Sequence, residues 1–179
     1  MNNIFLYLYI CVILFLSCSK NESNTSKSNS IYDYKSDQIL GNPIRINISN
    51  QKNIIYKIES DTLIDSTGNI LLFGGVKVQV YNDDNIETNN IFSNRAVVYS
   101  KSDSMSAYGN VKVVSNINGY ELFTDRIILF NDTKLVRSKD EVLFINDNDS
   151  LRGIGFWSDF DMENWTIEKP IGTIAKENK

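Results

Sequence analysis

The chain has 179 residues, enough for one domain, with a formal net charge of −4, two cysteines and no histidine. Lys and Arg are scattered rather than gathered into a basic stripe, which argues against a nucleic-acid partner. The lack of histidine removes the usual general base, proton shuttle and commonest metal ligand.

In chain order, the first feature is a targeting segment. Residues 4–16 are an unbroken apolar and aromatic run, shorter than the roughly 20 residues a spanning helix needs. Ser17-Cys18-Ser19 follows, and then a polar tract. This order predicts a lipoprotein signal over 1–17, cut before Cys18, whose thiol would carry lipid. No Lys or Arg precedes the apolar run, and Phe15 and Leu16 are bulky for a cleavage site, so an uncleaved anchor is the competing reading. Either way the remainder lies outside the cytoplasm. Cys11 and Cys18 are the only cysteines, so an acylated Cys18 leaves the folded part without thiol or disulfide chemistry. Residues 18–37 are read as the lipidated cysteine and a flexible tether, because residues 20–30 hold nothing apolar to offset their ordering entropy.

The domain is placed at 38–174. A short strand is possible near Ile44 to Ile48, and strand follows strand from Ile54 onward. Val76-Lys77-Val78-Gln79-Val80 alternates strictly, with three valines on one face. Residues 91–99, 111–115, 122–130 and 142–145 are rich in β-branched and aromatic side chains. Asn and Asp clusters separate them, and Asn118-Gly119 predicts a type I′ hairpin between the strands at Val111 and Leu122. No segment beyond the signal has helical periodicity. The fold class is all-β and antiparallel, with regular short strands.

The chain also repeats itself. Ile91-Phe92-Ser93-Asn94-Arg95-Ala96-Val97-Val98-Tyr99 reads like Leu122-Phe123-Thr124-Asp125-Arg126-Ile127-Ile128-Leu129-Phe130, and the same offset carries Val111 onto Val142. An apolar residue, any residue, then Ser/Thr-Asp/Asn recurs at Ser60-Asp61, Ser93-Asn94, Thr124-Asp125 and Ser158-Asp159. Short polar side chains of this kind bond nearby backbone, so the pairs are expected to bend the chain at equivalent points. Stacked repeats bury a continuous core and can expose a long apolar trough. Asp159, Asp161 and Glu163 alternate, but Asn164 and Pro170 stand where a calcium loop needs glycine and glutamate. They read as a solvated strand face.

Phe73-Gly74-Gly75-Val76-Lys77-Val78, Ser93 to Tyr99, Tyr108-Gly109-Asn110-Val111-Lys112-Val113 and Gly119 to Asp125 resemble the OstA-like repeat. Gly153-Ile154-Gly155-Phe156-Trp157-Ser158-Asp159-Phe160, Trp165-Thr166-Ile167 and Pro170-Ile171-Gly172 resemble the C-terminal part of the LptC family, the periplasmic component of the lipopolysaccharide-export transporter. The resemblance implies a twisted antiparallel β-jellyroll built from OstA-like repeats and open along one side. It implies a non-enzymatic transport protein without cofactor, held at the inner membrane and facing the periplasm. Its partners would be lipopolysaccharide, through the lipid A acyl chains, the LptB/LptF/LptG transporter and an LptA-like bridge. The expected groove lining is Val76, Val78, Val80, Val111, Val113, Phe123, Ile127, Leu129, Val142 and Phe144. Plain core packing is the competing role for each, because alternation does not say which face is wet. Docking edges are expected near residues 44–58 and 142–167. A carbohydrate- or envelope-binding lipoprotein, or an LptA-like bridge component, is the alternative function.

Overall fold

A computed structural model describes residues 38–49, 53–146 and 149–172. The signal over 1–17, Cys18 and the tether to residue 37 lie outside the described residues. Among these, every regular element is a strand: β1 (Gln38–Ser49), β2 (Ile54–Ser66), β3 (Asn69–Tyr81), β4 (Glu87–Tyr99), β5 (Ser104–Ser115), β6 (Glu121–Phe130), β7 (Leu135–Asn146), β8 (Asp149–Asp159) and β9 (Trp165–Ile171). They form one antiparallel sheet in sequence order, β1 to β9, each strand pairing with the next in the chain. Pro43 and Pro170 fall in β1 and β9, the two edge strands, where a missing N–H breaks no central ladder.

Several strands are longer than the sequence pattern suggests, because the gaps near 74–75, 109–110 and 139–140 are bends within one strand, while the Asn/Asp clusters at 82–85 and 131–132 are turns between strands. Register breaks fall at Glu59/Thr62, Phe73/Val76, Phe92/Arg95, Tyr108/Val111, Thr124/Ile128 and Ser138/Glu141. These line up across the sheet and crease it. One wall carries 54–60, 76–80, 87–92, 111–115, 121–124 and 141–146, and the other carries 62–66, 69–73, 95–99, 104–108, 128–130 and 135–138. Apolar side chains of both walls form one continuous buried cluster, from Ile58, Val78 and Val113 to Leu72, Met105 and Leu129.

Three of the four Ser/Thr-Asp/Asn pairs sit on this crease. Ser60 Oγ donates to Thr62 O at 3.3 Å, Ser93 Oγ to Arg95 O at 3.1 Å and Thr124 Oγ1 to Glu141 O at 2.8 Å. Each hydroxyl thereby bonds backbone at a bulge where the ladder is interrupted. The adjoining Asp61 and Asn94 fold over Gly74 and Gly109 on the next strand, whose φ values of +81° and +74° suit a residue without Cβ. An added Cβ would lie 2.7 Å from Asp61 Cβ at Gly74 and 2.9 Å from Asn94 Nδ2 at Gly109. The fourth pair differs: Ser158-Asp159 ends β8, and Asp159 organises the turn that follows.

The β5–β6 connection is not the expected two-residue type I′ turn. Gly119 has a positive φ of +70°, while Asn118 is not among the residues with positive φ. Residues 116–120 instead close through Gly119 N to Ser115 O at 3.1 Å and Asn118 N to Ser115 Oγ at 3.2 Å. The Ser115 hydroxyl offers an acceptor inside the turn, which favours the longer loop.

Candidate functional site

The inward face of the creased sheet is a continuous apolar surface. Val76, Val78 and Val80 on β3, Val111 and Val113 on β5, Ile127 and Leu129 on β6, and Val142 and Phe144 on β7 all belong to its buried cluster. Phe123 does not join them. Leu122 and Thr124, its neighbours in β6, are buried, so a strict alternation turns Phe123 to the opposite face. There Lys112 Nζ stands 5.2 Å from its ring centroid. Phe123 also borders an outer-face hollow of about 550 Å³ shared with Lys112, Leu143 and Arg152.

Several inward residues escaped the sequence-based selection. Tyr56, Leu72, Met105, Leu122, Phe156 and Met162 are as fully buried as the selected valines. Alternation could have found Leu122 once the inward face of β6 was known. Phe160 and Met162 lie on the β8–β9 turn, where no periodic pattern operates.

Along the crease the wall is chemically even; Thr88, Asn89 and several serines are buried nearer the strand ends. Its few polar members along the crease are small hydroxyls: Ser60, Ser93, Thr124 and Ser138, all at most 9% exposed. Thr124 Oγ1 and Ser138 Oγ lie 3.0 Å apart, so both share a hydrogen bond and neither presents a charge. Phe144 gathers the aromatic end, with its ring centroid 4.4 Å from that of Trp165, 5.4 Å from Tyr120 and 5.7 Å from Phe156. The trough expected from the repeats is therefore apolar but covered: Leu72, Val78, Met105, Ile127 and Leu129 have no solvent exposure.

Polar contacts bridge hairpins of the two walls across a seam on the side opposite the crease. Tyr56 on β2 bonds Asn131 in the β6–β7 turn, and Asn131 Nδ2 donates to Asp103 Oδ1 at 2.8 Å. Burial, with a lesser contribution from the Asp103 charge, pushes the Tyr56 phenol far above its usual range. Lys134 pairs with Asp83 across the same gap. Asn82, Asp83, Asp84, Thr133, Lys134, Asp159, Phe160 and Asp161 line a hollow of about 350 Å³ at this mouth. Partial burial and then the charges of Asp159 and Glu163 raise the Asp161 pKa above the usual carboxylate value. Among the described residues no group of three or more His, Cys, Asp or Glu side chains is arranged to hold a metal ion. No helix among them is long and apolar enough to cross a membrane.

A family model described as "Lipopolysaccharide-assembly, LptC-related" matches residues 4–173. The crystal structure of LptH, the LptA-homologous periplasmic component of the lipopolysaccharide transport device of Pseudomonas aeruginosa, is similar in fold. It has a TM-score of 0.53 and 11% sequence identity, covering 69% of this chain and 89% of LptH. That similarity places the nine-stranded open sheet with the LptA-like jellyrolls. No curated protein matches in sequence.

Proposed function

Because the chain belongs to the LptC-related family of lipopolysaccharide assembly, we propose that its inward face shelters lipid A acyl chains on their way from the inner-membrane transporter to an LptA-like bridge. Membership of the family gives the coarser role, lipopolysaccharide transport. The relay, its direction and its contacts go beyond that role. The observation that carries it is the unbroken apolar cluster spanning both walls of the creased sheet.

The physical need is large. Each exposed methylene costs about 0.8 kcal/mol in water, so an acyl chain of a dozen carbons has roughly 10 kcal/mol at stake. An even apolar wall offsets that cost without fixing the chain at one depth, and the small crease hydroxyls add no deep polar anchor. The wall then binds and shields without catalysing. Val76, Val78, Val80, Val111, Val113, Ile127, Leu129, Val142 and Phe144 are its proposed contacts; Phe123, on the outer face, would meet lipid only if a chain crosses there. Among the described residues, the edges β1 and β9 carry backbone groups without a strand partner on one side. Such edges suit strand addition by the transporter's periplasmic domains and the bridge. Cys18 would hold the domain at the inner membrane through lipid.

Photo-leucine incorporated in cells tests this reading, since Leu72, Leu122 and Leu129 face inward. Irradiation is expected to attach lipopolysaccharide to these positions. Absence of lipid adducts at all three, with binding to soluble oligosaccharide instead, would overturn it in favour of carbohydrate recognition.

A further inference from the structure

The covered wall raises a question of entry, and the β8–β9 turn answers it. Residues 160–164 form a self-contained loop. Asp159 N donates to Asn164 O and Met162 N to Asp159 O, both at 3.2 Å. The Asp159 carboxylate accepts from Glu163 N at 2.9 Å and Asn164 Nδ2 at 2.7 Å. The loop thus keeps its own shape and can travel as a unit.

Its apolar side chains point into the interior. Met162 is 1% exposed and Phe160 5%, and both are members of the inward cluster. The Phe160 ring centroid lies 6.2 Å from that of Tyr56 on the far wall. Phe160 borders the 350 Å³ hollow at the mouth and also a small cavity beneath it, shared with Ile54, Ile55 and Tyr81. These two side chains fill the seam end of the same apolar space that the acyl chains are proposed to use.

Few polar ties hold the loop down. Asn89 Nδ2 and Thr88 Oγ1 donate to Phe160 O, and Asn118 Nδ2 reaches Asp161 O and Met162 O at 3.4 and 3.5 Å. The closed position also carries unfavourable features. Met162 has a φ of +57°, a conformation that costs an ordinary side chain. Asn89 Oδ1 and Asp161 Oδ1 are buried without a hydrogen-bond partner, and water could satisfy both once the loop lifted. A positive φ, two orphaned acceptors and the long Asn118 contacts thus coincide at one place.

We propose that the β8–β9 loop is a displaceable plug: Phe160 and Met162 occupy the interior in place of lipid, and an incoming acyl chain pushes them out. This inference rests on the acyl-chain reading above. It predicts that affinity is reduced by the fraction of molecules with the plug in place, so weakening the ties should strengthen binding.

The test uses the full chain in nanodiscs with purified lipopolysaccharide as probe, read by photo-leucine adducts at Leu129 and by hydrogen exchange at the amides of 162–164. Asn89→Ala removes the tie from β4 and Asn118→Ala the two contacts from the β5–β6 turn, so misfolding of one leaves the other informative. Expected results are adduct yields raised about two- to tenfold at sub-saturating probe, and faster exchange at 162–164 when lipopolysaccharide is added to the wild type. Wild-type yields in both variants, with loop exchange unmoved by the probe, would overturn the plug while leaving the acyl-chain reading intact. No adduct at Leu129 in any variant would instead sink the acyl-chain reading itself.

Discussion

The crease is the feature on which both walls depend, and glycine substitutions dissect it. Gly75 and Gly109 both have positive φ, +76° and +74°, but differ in surroundings. A Cβ at Gly75 meets nothing within 4 Å, whereas at Gly109 it meets Asn94 Nδ2 at 2.9 Å and Asn94 Cβ at 3.3 Å. Gly75→Ala should therefore cost only the backbone penalty, about 1–2 kcal/mol. Gly109→Ala should add a steric share of about 0.5–1 kcal/mol, held down because the exposed Asn94 amide can shift. Asn94 is exposed, so Asn94→Ala alone should cost little. Combined with Gly109→Ala it should recover most of the steric share, because only the 3.3 Å Cβ contact remains. Urea unfolding at constant m-value reads each difference, and the double-mutant cycle should return a coupling of about 0.5 kcal/mol. Equal costs at Gly75 and Gly109, together with zero coupling, would refute the idea that Asn94 and Gly109 form a fitted pair.

Two further outcomes follow from buried polar groups at the seam. Tyr56→Phe loses the bond to Asn131 and should cost about 1 kcal/mol in urea unfolding. The raised Tyr56 pKa means that the unfolded state releases its phenol proton first as pH climbs past about 10. Wild-type stability should then fall with pH there more steeply than that of the variant, and parallel curves would refute the assignment. Asp161 faces Asp159, Glu163, Asp83 and Lys134, and its folded-state pKa is raised. The folded state therefore holds the proton longer, and stability declines as pH rises from about 3.9, the unfolded value, through the folded one. Asp161→Asn should raise the melting temperature at pH 7 and lose that advantage below about pH 4; a difference independent of pH would refute this.

Much of this protein is written locally. Alternation in Val76 to Val80 ties the valines to one face, because successive strand residues must point to opposite sides. The Ser/Thr-Asp/Asn pairs mark three of the bends, since a hydroxyl bonds backbone two residues away or on the adjoining strand wherever the chain lies. The recurring unit likewise announces neighbouring antiparallel strands and the family resemblance. Local signals end where distant segments meet. Phe123 matches the apolar pattern of its repeat, yet Leu122 beside it takes the inward position, a matter of register that only pairing with β5 and β7 decides. Gly74 opposite Asp61 and Gly109 opposite Asn94 are paired by the sheet, not by any motif within one strand. That the trough is covered, and that Phe160 and Met162 from a turn help to fill it, depends on the two walls closing on each other. A sequence fixes which atoms prefer to leave water, but only the folded chain determines which neighbours receive them.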